Sequence, residues 1–197
     1  NNPGSPIKKI SPLFLGQTII TGATSFVKIL MNDETSFTIG PNSEFQFNSY
    51  NLKSSDENKI GIYTLTKGIL KAKFKKKGKE KLILRTRTTS LGIRGTELVV
   101  QTYFDQSLQR WKTIFTHLKG KIWVHDAQNK GHLLIEKGDM LEVTRLENRD
   151  DVPLENQVTN QKFSFYKLKE PVLSAFVDFD INFPNKLNKA IEDISKT

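Results

Sequence analysis

The sequence predicts an all-β domain, an antiparallel sandwich or roll of many short strands, closed by a short C-terminal helix. Three observations predict it. Hydrophobicity alternates with period two, as in Thr24-Ser25-Phe26-Val27-Lys28-Ile29-Leu30, Ser36-Phe37-Thr38-Ile39 and Glu44-Phe45-Gln46-Phe47, which puts successive side chains on opposite faces of a pleated strand. Turn chemistry separates these runs at Asn32-Asp33-Glu34 and Gly40-Pro41-Asn42, residues that tolerate tight or left-handed backbone. No long amphipathic helix intervenes, and strands joined by short turns lie antiparallel.

The elements follow in order. Residues 1–12 form an N-terminal arm. Strands are expected over 24–30, 36–39, 44–47, 60–66, 68–74, 81–87, 96–104, 111–118, 121–126, 131–136 and 139–145, which places a β domain over 13–146. Gly16, Gly68 and Gly120 recur 52 residues apart, each opening a hydrophobic run, and are expected to mark corners of a rolled sheet. Residues 147–197 form an extension packed on the domain. Its polar start, with Asp150-Asp151-Val152-Pro153, reads as a linker. Two strands follow at 163–168 and 173–183, the second alternating Ala175, Val177, Phe179 and Ile181. Asn185 then caps a helix with Leu187, Ile191 and Ile194 on one side.

Composition narrows the function classes. The 197 residues are 37% hydrophobic and 26% charged, enough apolar material for a core. The absence of cysteine removes disulfides and thiolate metal sites. No run of about 18 apolar residues occurs. The chain opens Asn1-Asn2-Pro3-Gly4-Ser5 without an initiator methionine, as a processed precursor does. The formal charge of +9 favours anionic partners.

One spelling stands out: Gly92-Ile93-Arg94-Gly95-Thr96, inside the run Thr89 to Val100. A phosphate cradle would lead from the last glycine into a helix, whereas Thr96-Glu97-Leu98-Val99-Val100 reads as a strand. A catalytic loop would need an acid–base partner, and Thr88, Thr89, Ser90 and Glu97 have no histidine beside them. The remaining reading is a structural corner: Gly92 and Gly95 let the chain turn between a strand ending near Arg87 and one starting at Thr96, and Arg94 locks it by bonding carbonyls or Glu97.

With these residues in place the chain resembles the FecR domain family. The resemblance is carried, in order, by Gly22-Ala23-Thr24-Ser25, Gly40-Pro41-Asn42-Ser43-Glu44, Lys67-Gly68-Ile69-Leu70, Thr86 with Gly92-Ile93-Arg94-Gly95-Thr96-Glu97-Leu98-Val99-Val100, Leu118-Lys119-Gly120-Lys121-Ile122-Trp123-Val124 and Lys137-Gly138-Asp139. It implies an all-β, non-catalytic domain without a cofactor, in the periplasm or cell envelope of a Gram-negative bacterium. In well-known members this is the periplasmic half of a membrane regulator that relays a signal to a sigma factor. Lacking an apolar span, this chain is expected to be a stand-alone exported member acting by binding; the alternative is the periplasmic part of a regulator working with a membrane partner. The family has Asp-Gly at the early hairpin, where this chain has Asp33-Glu34.

The other constellations are weaker. His117, His125 and His132 fit no zinc or facial-triad spacing. Asp178 and Asp180 lie on one face of one strand, whereas a glycosidase pair comes from elements flanking the sugar. Trp111, Trp123, Phe104, Phe115 and Tyr103 read as strand packing before they read as a sugar platform. Nucleic-acid binding rests on charge alone, without a recognition helix. The candidate site is a basic hairpin: Leu70, Ala72 and Phe74 face in while Lys71, Lys73 and Lys75 face out, and after the turn Lys76-Lys77-Gly78-Lys79, Lys81, Arg85 and Arg87 join them. Lysine faces also protect sheet edges. As a binding face it would meet a protein or an anionic envelope component, lipopolysaccharide or acidic lipid.

Overall fold

The computed structural model describes residues 12–50, 60–75, 81–126, 131–145 and 161–167. Every regular element among them is a strand: β1 (Thr18–Ile20), β2 (Val27–Leu30), β3 (Ser36–Ile39), β4 (Glu44–Tyr50), β5 (Ile60–Lys73), β6 (Lys81–Thr86), β7 (Ser90–Asp105), β8 (Arg110–Asp126), β9 (Gly131–Ile135), β10 (Asp139–Arg145) and β11 (Gln161–Lys167). The fold is all-β. The expected strand at 173–183 and the C-terminal helix lie outside the described residues.

The strands form a single sheet in the order β1-β4-β5-β6-β7-β8-β10-β11, with β2 and β3 joined at β5 and β9 at β8. Antiparallel pairing dominates, as expected, with one departure. β5 runs parallel to β6 from Ile60↔Lys81 to Leu65↔Thr86. The basic hairpin is therefore not formed. The half of β5 that carries Lys71 and Lys73 pairs instead with β7, from Gly68↔Thr102 to Lys73↔Glu97, and with β3 on its other edge. Alternation assigns the faces of a strand but is silent on its neighbours.

Two expected pairs of short elements are single long strands, and a third strand starts earlier than expected. Residues 60–66 and 68–74 belong to the 14-residue β5, 111–118 and 121–126 to the 17-residue β8, and β7 begins six residues before Thr96. A glycine with positive φ bends each without ending it: Gly68 (φ 97) in β5, Gly95 (φ 61) in β7 and Gly120 (φ 94) in β8. The bend in β5 is large. Straight, its eleven residue steps from Tyr63 to Phe74 would span about 36 Å, yet the two rings stand 5.8 Å apart. The sheet rolls over, and the core fills the roll.

Phe37 lies at the centre of that core, fully buried, its ring 4.9 Å from Tyr63, 5.2 Å from Phe45 and 5.5 Å from both Phe47 and Phe74. Burying such a ring contributes about 2–3 kcal/mol. Two of the sequence motifs, Gly40 to Glu44 and Lys67 to Leu70, meet Thr21 at the bend of β5. The Thr21 hydroxyl donates to Gly40 O (2.7 Å) and accepts from Ser43 N (2.9 Å), and Ile69 N donates to the Ser43 hydroxyl (2.9 Å). A Cβ on Gly68 would fall 2.4 Å from Ser43 Cα, so this crossing admits only glycine. At the early hairpin Glu34 takes the left-handed backbone (φ 66) that glycine would otherwise supply, and Asp33 accepts from Thr35 N to hold the turn.

Candidate functional site

The glycine–arginine–glycine segment is not a corner between two strands. It lies inside β7, whose reversal from β6 occurs earlier, at Arg87-Thr88-Thr89. There the Thr86 hydroxyl donates to Thr89 O (3.0 Å) and accepts from Thr89 N (3.2 Å). Hydroxyls can close a turn without glycine, and the four-residue cluster Thr86 to Thr89 was the signal for it. The role of Gly95 is a β-bulge. The register with β8 slips between Arg94 and Glu97, and there β7 changes its other neighbour from β6 to β5. Gly120 sits opposite, where a Cβ would fall 2.2 Å from Gly95 O. Gly92 has no such constraint: a Cβ there meets Trp123 at an ordinary 3.8 Å.

Thr96 holds the bulge. Buried, it donates its hydroxyl to Lys121 O and accepts Phe74 N at its carbonyl, both at 2.7 Å. Arg94 does not lock the bend onto Glu97 as expected, because Glu97 pairs with Lys71 at 3.3 Å. The Arg94 side chain is exposed instead, directly across the ladder from Lys121.

The six basic residues of the expected site are dispersed. Lys71 is largely buried against Glu97, on a face where Ile69, Val99, Ile114 and Met140 are buried as well. Arg85 is half-buried, and Arg87 lies over the Trp111 ring, 4.4 Å from its centroid, a cation–π contact. Lys75 pairs with Glu34. Lys73 and Lys81 are exposed. The register brings other cations to these two. Leu82↔Ile93 sets Lys81 beside Arg94, Arg94 faces Lys121, and Glu97 stands between Lys73 and Lys119. Lys73, Lys81, Arg94, Lys119 and Lys121 are all exposed and form a basic rim around the bulge. Lys119 and Lys121 flank Gly120 on β8, and their place in the rim follows from the pairing of β8 with β7, which no local pattern gives.

The aromatic candidates separate too. Phe115 is in the core and Trp123 lies across from Gly92, whereas Trp111 and Phe104 pack edge-on at 5.6 Å. With Tyr103, Gln101, Lys67 and Gly68 these two line a groove of about 340 Å³. Beside it Lys112 bridges Asp105 (3.3 Å) and Glu142 (3.4 Å). Burial acts to lower the Lys112 ammonium, but Glu142 and Asp105 outweigh it and hold it above its ordinary value. The Ser107 hydroxyl, the Leu108 N–H and Lys112 hold Asp105 down to about 2. Burial pushes the Tyr103 phenol up, so it stays a donor at neutral pH.

His117 is buried on the core face, opposite Leu98; His125 and His132 are cross-strand neighbours. Among the described residues no group of side chains could hold a metal ion, and no helix is long and apolar enough to cross a membrane. Asp178 and Asp180 lie outside the described residues.

Residues 17–122 match the family model described as FecR protein. No curated protein sequence matches the chain. Two crystal structures of a candidate anti-sigma factor from Parabacteroides distasonis ATCC 8503, at 1.65 and 2.50 Å, share the fold, each with a TM-score of 0.56 at 12% identity over 82% of this chain. This chain spans 64% of the length of that protein.

Proposed function

Because the chain belongs to the FecR family, we propose that it is the interaction domain of an envelope signalling regulator, working without catalysis by binding a protein partner and passing that state to a membrane component. The observation that carries this reading is the extent of the family match. Residues 17–122 run from the first strand through all three glycine bends, so the match covers the rolled scaffold and is not confined to one motif. The fold shared with a candidate anti-sigma factor supports a regulator over a free-standing binding module. The domain takes in residues 13–146. Within the expected extension over 147–197, β11 is the described part, and its pairing with β10 at seven positions supports packing of that segment on the domain.

The groove beside Trp111 is the contact surface that suits a protein partner. Aromatic anchors next to positioned donors and a cation are the composition of interface hot spots, and here Trp111, Phe104, Tyr103 and Lys67 supply them. Residence in the periplasm or cell envelope belongs to the same proposal.

Deletion of the gene in its host, followed by transcript profiling, tests the regulator reading. A regulator shifts a defined group of transcripts, restored by wild type and not by Trp111→Ala. A transcript profile unchanged by the deletion would sink it.

A further inference from the structure

A second surface lies where the roll opens. Among the described residues nine large hydrophobic side chains are exposed, and five of them, Leu13, Phe14, Leu15, Ile20 and Leu30, fall within residues 13–30. Leu13, Phe14 and Leu15 precede β1 and lie over the end of β4, where Gly16 N donates to Phe47 O (2.8 Å). With Met31, Phe47 and Tyr50 they border a shallow depression of about 190 Å³. Phe14 is 63% exposed and Leu15 58%, so this segment protrudes more than it encloses.

Exposed cations adjoin this apolar edge at two points. Lys75 pairs with Glu34, in the turn that begins at Met31. Lys81 is level with Ile60, whose neighbour Gly61 pairs with Tyr50. From Lys81 the rim continues to Arg94 and Lys121. Arg94 and Lys121 are like charges directly opposed across a ladder, an unfavourable arrangement, and neither has an ion-pair partner among the described residues. The first 32 residues hold three lysines and no carboxylate.

We propose that this edge docks on the surface of an anionic phospholipid bilayer, Phe14 and Leu15 entering the acyl-chain boundary while Lys73, Lys75, Lys81, Arg94 and Lys121 meet the headgroup phosphates. Protruding apolar side chains beside a row of cations are what an interfacial anchor needs, since the two attractions act together at one depth. A protein partner would be met better by an enclosing groove, which this edge lacks. The anionic surface also relieves the repulsion between Arg94 and Lys121. The surface shares no lining residue with the groove at Trp111, so vesicle binding and signalling are separable readouts.

The test is flotation of the full chain with vesicles of phosphatidylglycerol and, separately, of phosphatidylcholine. Wild type should float with the first at low salt and not with the second, and should be released as the Debye length falls from about 10 Å at 0.1 M to about 3 Å at 1 M salt. Phe14→Ser/Leu15→Ser and Lys81→Glu/Arg94→Glu/Lys121→Glu should each lower the bound fraction about tenfold or more, with melting temperatures near that of wild type because all five side chains are exposed. Indifference of wild type to phosphatidylglycerol overturns the proposal. So does loss of binding in the charge variant alone, which would reduce the effect to nonspecific attraction without insertion. Sedimentation showing a dimer that Phe14→Ser/Leu15→Ser dissolves, with vesicles ignored, would assign the edge to a second copy of the chain instead.

Discussion

Replacing Gly120 with alanine should be among the most damaging single-methyl additions in this fold, and the same change at Gly92 should be nearly silent. At Gly120 the new Cβ would sit 2.2 Å from Gly95 O, 2.7 Å from Thr96 Cα and 2.8 Å from Gly95 C. All three are backbone atoms, so no rotamer change relieves the overlap. The residue also holds φ +94, which costs a non-glycine residue about 1–2 kcal/mol. Opening the bulge to make room would break the Thr96 hydroxyl bond to Lys121 O and the Phe74 N bond to Thr96 O, about 1 kcal/mol each. Together the loss is about 3–4 kcal/mol, which lowers the melting temperature of a chain this size by roughly 6–16 °C. At Gly92 the Cβ meets only Trp123, at 3.8 Å, and the change should stay within about 1 kcal/mol of wild type. Thermal and urea melts of the two variants provide the comparison. Melting temperatures for Gly120→Ala and Gly92→Ala within two degrees of each other would refute the claim that the bulge, and not the glycine–arginine–glycine spelling, fixes this part of the chain.

Three other outcomes follow from single sites. Thr113 is fully buried, its hydroxyl 2.9 Å from Thr102 Oγ1 and 3.3 Å from Thr86 Oγ1; Thr113→Val keeps the shape, removes this link and should cost about 1–2 kcal/mol in a urea melt. Glu34→Gly should raise the melting temperature by about 2–4 °C by releasing the strain of its positive φ, since the exposed pair with Lys75 lost in exchange contributes little; a lower melting temperature would mean that the ion pair outweighs the strain. Asp105 has a folded pKa of about 2 against an ordinary 3.8, so its contribution is fully present above about pH 4 and is lost as pH falls through about 2. Asp105→Asn should therefore be less stable than wild type at pH 7, by about 1 kcal/mol after solvent screening, with the gap mostly gone at pH 2; a gap undiminished at pH 2 would contradict the assignment.

The candidate site was only partly legible in the sequence. Lys73 and Lys81 were found as outward cations and are exposed, but Lys71, chosen by the same alternation, lies on a face where Ile69 and Val99 are buried. Alternation separates two faces without saying which of them stays wet. Arg87 was lost to Trp111, 24 positions further on, and no local pattern anticipates such a contact. The groove likewise joins Lys67 and Gly68 to Tyr103, Phe104 and Trp111, residues that meet only because β5 pairs with β7.

By itself the sequence determined what is local and periodic: the all-β class, the approximate strands, the inward set Leu70, Ala72 and Phe74, and the bends at Gly68 and Gly120. The order of its motifs also determined the family. These are properties of a few consecutive residues, where sterics and burial act directly on side-chain type. The tertiary structure alone decided that β6 lies parallel to β5, that Gly95 makes a bulge where a corner was expected, and that Lys119 and Lys121 join Arg94 in one rim. Strand pairing is a choice among distant edges with similar backbone hydrogen bonds, and it is settled by which arrangement closes the roll over Phe37, Tyr63 and Phe74, a condition that no short window of sequence contains.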